Sequence, residues 1–423
     1  MFIFIRLYTI RVNIDIQGEE FQMNEDIMML KEISDRLIAG TNLDFKRYLF
    51  PKIDWGNRFV CLKGAKGTGK TTILRQRMRE EFGLSDSVYY LSFDHLWFSN
   101  HSALDLVDTL QKNGVTHLFL DEVHHLEHWA TILKNIYDFY PDLYVAYSGS
   151  SILRLDNREG DLSRRQLCYD LKGLSFREFL AFEGVKSVEP ITLDELLAHH
   201  REIAAEIVRG IKVVGLFAKY NEYGYYPFYK ESPSGYFQRI IECVNKVIEC
   251  DLPIVEDVTP ATIRKTKRML AVLAESCPQE PNMRALYREL ETDRNQGLKM
   301  LDVLERAELV SLLKTERDKL KNLSAPEKIY CDNVNLMRSL VPRVNIGTLR
   351  ETFFVNQLRA AGHTVSSPAK GDFLVDGEWL FEVGGKGKSF SQIKDMTQSY
   401  IAFDDVEIGT GNKIPLWLFG FLY

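Results

Sequence analysis

An α/β fold built on a parallel sheet is what this sequence predicts, from three observations. First, an apolar run from Phe59 to Leu62 enters a glycine-rich turn, Gly64-Ala65-Lys66-Gly67-Thr68-Gly69-Lys70-Thr71, and a helix-like stretch follows from Thr72. Second, strand-like runs at Val88 to Phe93, His117 to Leu120 and Leu143 to Tyr147 alternate with helical spacing, as at Ala103 to Gln111. Third, the run Leu118-Phe119-Leu120 ends in two carboxylates, Asp121-Glu122, about fifty residues after the glycine-rich turn. Alternating strands and helices place ligands at the carboxyl ends of the strands, and the turn lies at such an end. The expected architecture is a P-loop nucleoside-triphosphatase sheet, a helical lid, a winged helix and a small terminal α/β domain.

The elements justify themselves in chain order. Met29, Leu30, Ile33 and Leu37 have the spacing of an amphipathic helix ahead of the first strand. Beyond Ser175 the pattern turns helical, through Leu193 to Val208 and Tyr236 to Glu249, with an aromatic loop at Tyr223-Gly224-Tyr225-Tyr226-Pro227-Phe228 between them. Thr259-Pro260 starts another helix, with threonine as cap and proline in the first turn. Helices at Met283 to Leu290 and Gln296 to Ala307, then strands at Leu309 to Lys314 and Lys328 to Cys331, suit a winged helix. The last stretch has a helix at Leu349 to Ala361, strands at Asp372 to Val375 and Trp379 to Val383, and the apolar Pro415-Leu416-Trp417-Leu418-Phe419.

The 423 residues are long for one core, and a 45% hydrophobic composition supports several. Fifty-three basic residues against 59 acidic ones give a net charge of −6, which argues against a globally basic nucleic-acid binder. The six cysteines lack any C-x-x-C spacing and read as reduced core residues, so a cytoplasmic location is expected. Arg6 and Arg11 interrupt the apolar opening, which does not read as a signal peptide. Met23, Met28 and Met29 follow, and an over-extended start is one expectation. No later stretch reaches the ~20 apolar residues of a membrane span, so no membrane is expected among the partners.

The glycines let backbone amides curl around phosphate oxygens while the following helix presents its positive end. Gly64, Ala65, Lys66, Gly67, Thr68, Gly69, Lys70, Thr71 and Thr72 are therefore the candidate nucleotide-binding residues. Lys70 is expected to reach the β- and γ-phosphates, and Thr71 to supply a hydroxyl to Mg²⁺. Asp121 is expected to orient Mg²⁺, and Glu122 to polarise the attacking water. Ser148, at the end of the next strand, is placed to hydrogen-bond the γ-phosphate or that water, or simply to cap. His124, His125 and His128 form no complete metal signature and are expected to pack or face solvent, so no zinc is assigned.

Together the P-loop, Leu120-Asp121-Glu122, Ser148-Gly149-Ser150-Ser151 and Leu174-Ser175-Phe176-Arg177-Glu178-Phe179-Leu180 resemble the AAA-type ATPases of bacteria and archaea. The resemblance runs from about Met29 to the C-terminus, and implies ATP as the nucleotide and a following domain of unknown function. Arg165 best matches the arginine that the resemblance implies just before the Leu-Ser-Phe-Arg-Glu-Phe-Leu run, although Arg164 precedes it where the family often has glycine. The expected divisions are an N-terminal extension (1–28), the ATPase core (29–182), a lid (183–256), a winged helix (257–345) and an endonuclease-like domain (346–423). In that last domain Asp372 and Glu382 match the family's acids, but Gly384 stands where the lysine belongs and Lys386 comes two residues late, so a degenerate version is expected.

An ATPase whose turnover rearranges its C-terminal domains is the leading expectation, with an unknown protein partner and an oligomer in view. A nucleotide-controlled DNA adaptor is the alternative, using the helix Gln296 to Ala307 and the basic Lys314, Arg317, Lys319 and Lys321. DNA is not favoured, because acidic residues are interspersed throughout. A metal-dependent nuclease is the third reading.

Overall fold

The computed structural model describes residues 25–151, 162–276, 282–315, 326–387 and 398–423. The expectations for residues 1–24, and for Arg317, Lys319 and Lys321, lie outside the described residues.

Strands β1 (Phe59–Gly64), β2 (Val88–Ser92), β3 (His117–Asp121), β4 (Tyr144–Ser150) and β5 (Leu167–Asp170) form one sheet in the order β2-β3-β4-β1-β5. All four pairings are parallel. Because side chains alternate along a strand, β1 feeds two cores. Phe59 and Cys61 join a cluster with Leu106 and Val107 of helix α3 (Ala103–Lys112) and Leu133 and Ile136 of α4 (Trp129–Phe139), while Val60 and Leu62 join one with Ile73, Leu74 and Met78 of α2 (Lys70–Glu81). Helix α1 (residues 25–39) reaches both faces, with Leu30 in the first cluster and Ile38 in the second. Strand β5 was not expected. Its Leu-Cys-Tyr-Asp sequence is short and mostly exposed, so no apolar alternation marks it.

The helical region comprises α5 (Phe176–Phe182), α6 (Leu193–Ile207), α7 (Val213–Tyr223), α8 (Tyr236–Lys246), a π-helical turn at Val247–Asp251, and the short α9 (Leu252–Val255). Next come α10 (Pro260–Ser276), α11 (Met283–Glu289) and α12 (Arg294–Arg306), then an antiparallel pair, β6 (Val310–Leu313) with β7 (Lys328–Cys331). After α13 (Val334–Leu340) and α14 (Ile346–Ala360), strands β8 (Val365–Ser366), β9 (Phe373–Val375), β10 (Trp379–Gly384), β11 (Ser399–Phe403) and β12 (Lys413–Pro415) form a mixed sheet in sequential order. Only the pairs around β9 are antiparallel.

One hydrophobic cluster runs from Leu174 to Leu422, through all of these segments. Phe176 on α5 meets Phe217 on α7 at 5.3 Å and Trp417 at 6.5 Å, and Phe217 meets Phe353 on α14 at 4.7 Å. Among the described residues, this cluster joins the lid to the two segments that follow it. The apolar Leu416–Phe421 forms a buried 3-10 helix. One expectation changes: Cys168 and Cys250 are exposed rather than buried. No helix among the described residues is long and apolar enough to cross a membrane.

Candidate nucleotide site

The loop between β1 and α2 turns through Gly67 at φ +86° and Gly69 at φ +103°, where a side chain would be strained. Gly67 also lies under the aromatic loop: a Cβ there would sit 2.6 Å from the Phe228 ring. Thr68 closes the turn, its hydroxyl donating to the Ala65 carbonyl at 2.9 Å. Lys70 is buried and folds back, its Nζ donating to the carbonyls of Gly64 (2.9 Å) and Ala65 (3.0 Å).

Asp121, at the end of β3, is nearly fully buried and gathers three hydroxyls. Thr71 Oγ1 and Tyr90 Oη each donate to its Oδ2 at 2.7 Å, and Ser148 Oγ donates to its Oδ1. Ser148 in turn accepts from the Glu122 N–H at 3.2 Å. Burial and the Asp121 charge push the Tyr90 phenol far up, so it stays a donor at every physiological pH.

Glu122 has left-handed backbone, φ 54°. Burial alone would raise its carboxyl, but the charges of Lys70, His124 and Lys66 outweigh burial and hold it below the ordinary carboxylate range. It is therefore ionised at neutral pH, the form a proton acceptor needs.

Two cavities flank the loop. One of about 450 Å³ is lined by Lys66, Thr71, Tyr90, Asp121, Glu122 and Lys246, on the acid side. The other, about 640 Å³, is lined by Asn42, Phe45, Arg47, Gly69, Thr72, Phe182 and Pro227. The fold thus brings the residues from Gly64 to Thr72 together with Asp121, Glu122 and Ser148. Loop glycines, a buried ammonium and a hydroxyl against an acid fit a magnesium-bound triphosphate in donor type and charge.

Arg165 does not join them. It precedes β5, whose Leu167 pairs with Val60 while Asp170 pairs with Lys63, so it sits at the sheet end opposite the loop. There its guanidinium grips Asp138 of α4 at 2.9 and 3.1 Å. A role within the chain's own site is thereby removed.

Three residues around the loop escaped sequence reasoning. Tyr90 sat in an ordinary strand. Arg47 is buried and donates to both oxygens of Glu178 (3.0 and 3.1 Å), to the carbonyls of Lys172 (2.7 Å) and Gly173 (2.8 Å), and to that of Thr68 in the loop. Burial opposes its charge, but Glu178 more than offsets this and raises its pKa. Glu178 is the acid of the Leu174 to Leu180 motif, where it also completes a capping box with Ser175. Third, Glu308, between α12 and β6, accepts the Ala65 N–H at 2.9 Å and pairs with Lys172. Its backbone is left-handed, φ 59°. Next to it, Ser151 donates to the Ala307 carbonyl at 3.0 Å.

In the terminal sheet, Asp372 Oδ2 accepts the Val383 N–H at 2.8 Å, and Glu382 is buried on β10. Strand β10 stops at Gly384, so Lys386 lies beyond it and exposed. A Cβ on Gly385 would sit 2.9 Å from Arg350 Nη1, and Arg350 is itself held by Asp404 and Asp405.

Over most of its length the chain is similar to the uncharacterized protein MJ1637 of Methanocaldococcus jannaschii, 26% identical over 94% of this chain and 92% of that protein. Among solved structures, AMPPCP-bound DnaA from Aquifex aeolicus matches with 15% identity and a TM-score of 0.25, covering 61% of this chain and 84% of that one. The Aeropyrum pernix ORC1 protein in complex with DNA matches with 12% identity and a TM-score of 0.30, covering 75% and 91%. Scores of this size assign no function. Residues 56–180 match the family described as an AAA domain. That segment, which holds the phosphate loop, Asp121, Glu122 and Ser148, is similar to P-loop domains of the AAA type.

Proposed function

We propose that the chain binds Mg·ATP in the phosphate loop and hydrolyses it, and that turnover alters how the loop is held by the C-terminal half. The observation that carries this reading is the convergence of Lys70, Thr71, Asp121, Glu122 and Ser148 at the carboxyl ends of three neighbouring strands. When bound, Mg·ATP supplies the electrophilic γ-phosphorus and a metal that shares its negative charge. The amides of the Gly64 to Thr72 loop and Lys70 hold the phosphates, and Lys70 must leave its own carbonyls to do so. Thr71 and Asp121 hold the magnesium. Ser148 and Tyr90 keep the Asp121 carboxylate oriented, and Glu122 takes the proton from the attacking water. The cavity beside Thr72 is the seat for the base, with adenine assigned by family resemblance.

The contacts Glu308 to Ala65, Arg47 to Thr68 and Phe228 to Gly67 support a mechanical reading. Each links the loop to a different part of the chain, so loop movement on nucleotide binding strains all three. An unidentified protein, met in the cytosol, is the expected partner of that movement. DNA is not favoured: Lys267 and Arg268 on α10 are paired with Glu249 and Glu289 rather than presented as a phosphate-binding stripe. Nuclease activity is not favoured either, since the lysine position is Gly384.

Calorimetry and phosphate release test the site together. Lys70→Ala is expected to lose Mg·ATP binding, and Glu122→Gln to keep binding with turnover lowered about 100-fold or more. Normal turnover by both variants rejects the assignment.

A further inference from the structure

Immediately behind Glu122 lies a cluster that the proposed reaction does not use. His124 is fully buried, and neither ring nitrogen has a hydrogen-bond partner. Asp251, 1% exposed, comes from the π-helical turn at the end of the helical region, and neither carboxylate oxygen has one. Each has the other only at long range, so their burial is poorly compensated and asks for a ligand.

The spacing says which kind. His124 Nε2 lies 3.4 Å from Glu122 Oε2 and 3.6 Å from Asp251 Oδ2, too long for good hydrogen bonds. Two donors each about 2.0–2.1 Å from a tetrahedrally held zinc lie about 3.3–3.4 Å apart, which is nearly the separation seen. His125 brings a third donor: its ligating atom and those of Glu122 and His124 all lie within 4.8 Å of one another, and its Nε2 is also without a hydrogen-bond partner. Two imidazoles with one carboxylate suit a borderline divalent transition metal better than magnesium, which prefers an all-oxygen shell.

Local backbone fits the same purpose. Glu122 is held in left-handed geometry, and π-turns such as Val247–Asp251 concentrate at functional sites. Glu122 also lines the cavity of about 450 Å³, which gives an ion a way in. Lys66, half-buried at the same cavity, is the cation that balances these carboxylates without a metal, and its flexible stem lets it turn outward.

We infer that Glu122, His124 and His125 hold a zinc-class divalent ion, with Asp251, 3.6 Å from His124, lending the site negative charge from the end of the helical region. Binding of the ion stands on this geometry alone. Its consequence rests on the reading of Glu122 as proton acceptor: an ion that holds this carboxylate withdraws it from water, so zinc restrains turnover.

Cobalt(II) is the probe, because a four-coordinate site gives it strong visible absorption. Titration of the full-length protein in excess Mg²⁺ is expected to give saturable bands at one equivalent, removed by Zn²⁺. His124→Ala should weaken binding by more than about ten-fold, and Asp251→Asn should weaken it by a smaller factor. His125→Ala, at a half-exposed position, should weaken it without a change in melting temperature, which separates ligation from folding. Lys70→Ala should retain the bands while losing ATP, so failure of the nucleotide reading and failure of the metal reading are distinguishable. Absence of saturable bands in the wild-type protein, or bands unchanged in His125→Ala and Asp251→Asn, overturns the site.

Discussion

Asp121 closes strand β3 and Asp372 leads into strand β9, yet the surroundings of these two acids differ. Around Asp121, hydroxyls arrive from α2, β2 and β4, and the neighbouring Glu122 faces a cavity. Around Asp372, the carboxylate accepts the Val383 N–H, Lys328 Nζ donates to the Asp372 backbone carbonyl at 3.3 Å, and Arg350 fills the space beyond β10. Two acids at strand termini thus serve different ends. An acid becomes a site when several elements aim polar groups at the same point; otherwise it pins its own strand.

The largest effect that breaks this contrast is expected at Arg47. Arg47→Ala leaves the buried Glu178 without its charge partner and releases the Thr68 carbonyl, so unfolding free energy should drop by about 3–5 kcal/mol. Denaturant melts measure it. A loss below about 1 kcal/mol would mean that the loop does not depend on this pair.

Ser148→Ala sharpens the comparison at the active end. It removes one donor to Asp121 and the acceptor of the Glu122 N–H, so turnover should fall about ten-fold, or about 1.4 kcal/mol, with ATP affinity held. Steady-state rates and calorimetry together would expose an equal loss in both, which would make Ser148 a cap alone.

Asp332 tests the junction between the two regions. Burial first, and then the neighbouring Glu308 charge, push its carboxyl up to about 7. The folded chain therefore holds this proton more tightly than the unfolded one. The stability this contributes is full below about pH 4 and is lost as pH rises through about 7. Asp332→Asn should stabilise the protein on the order of 1 kcal/mol at pH 8, with the gain vanishing toward pH 4. A gain independent of pH would remove the charge from the explanation.

The smallest effect belongs to the terminal sheet. Asp372→Ala should cost about 1 kcal/mol of stability through its lost bond to Val383 and leave ATP turnover within two-fold of wild type. Any DNA cleavage lost with this change would restore the nuclease reading.

How much of this could be read from the chain follows from where the partners lie. Gly64 to Thr72 form one continuous segment, and Asp121 with Glu122 sits at the end of a run of three apolar residues, so both were legible without coordinates. Ser148 was legible for the same reason. Edge strand β5 was not, because an exposed Leu-Cys-Tyr-Asp carries no alternation. Nor was the fate of Arg165, whose motif position says nothing of which end of the sheet it occupies.

Local sequence determined the phosphate loop, the acid strand and most helices, because turn chemistry, caps and apolar periodicity act over a few residues. Tertiary structure alone decided that Glu308 reaches Ala65, that Arg47 holds Glu178 and Thr68, and that Asp251 meets His124. These partners are separated by more than 120 residues except where Arg47 meets Thr68, and only packing of the shared core brings them within hydrogen-bond or ligand distance. Short-range preferences fix which elements form; burial of apolar surface between distant elements fixes which polar groups meet.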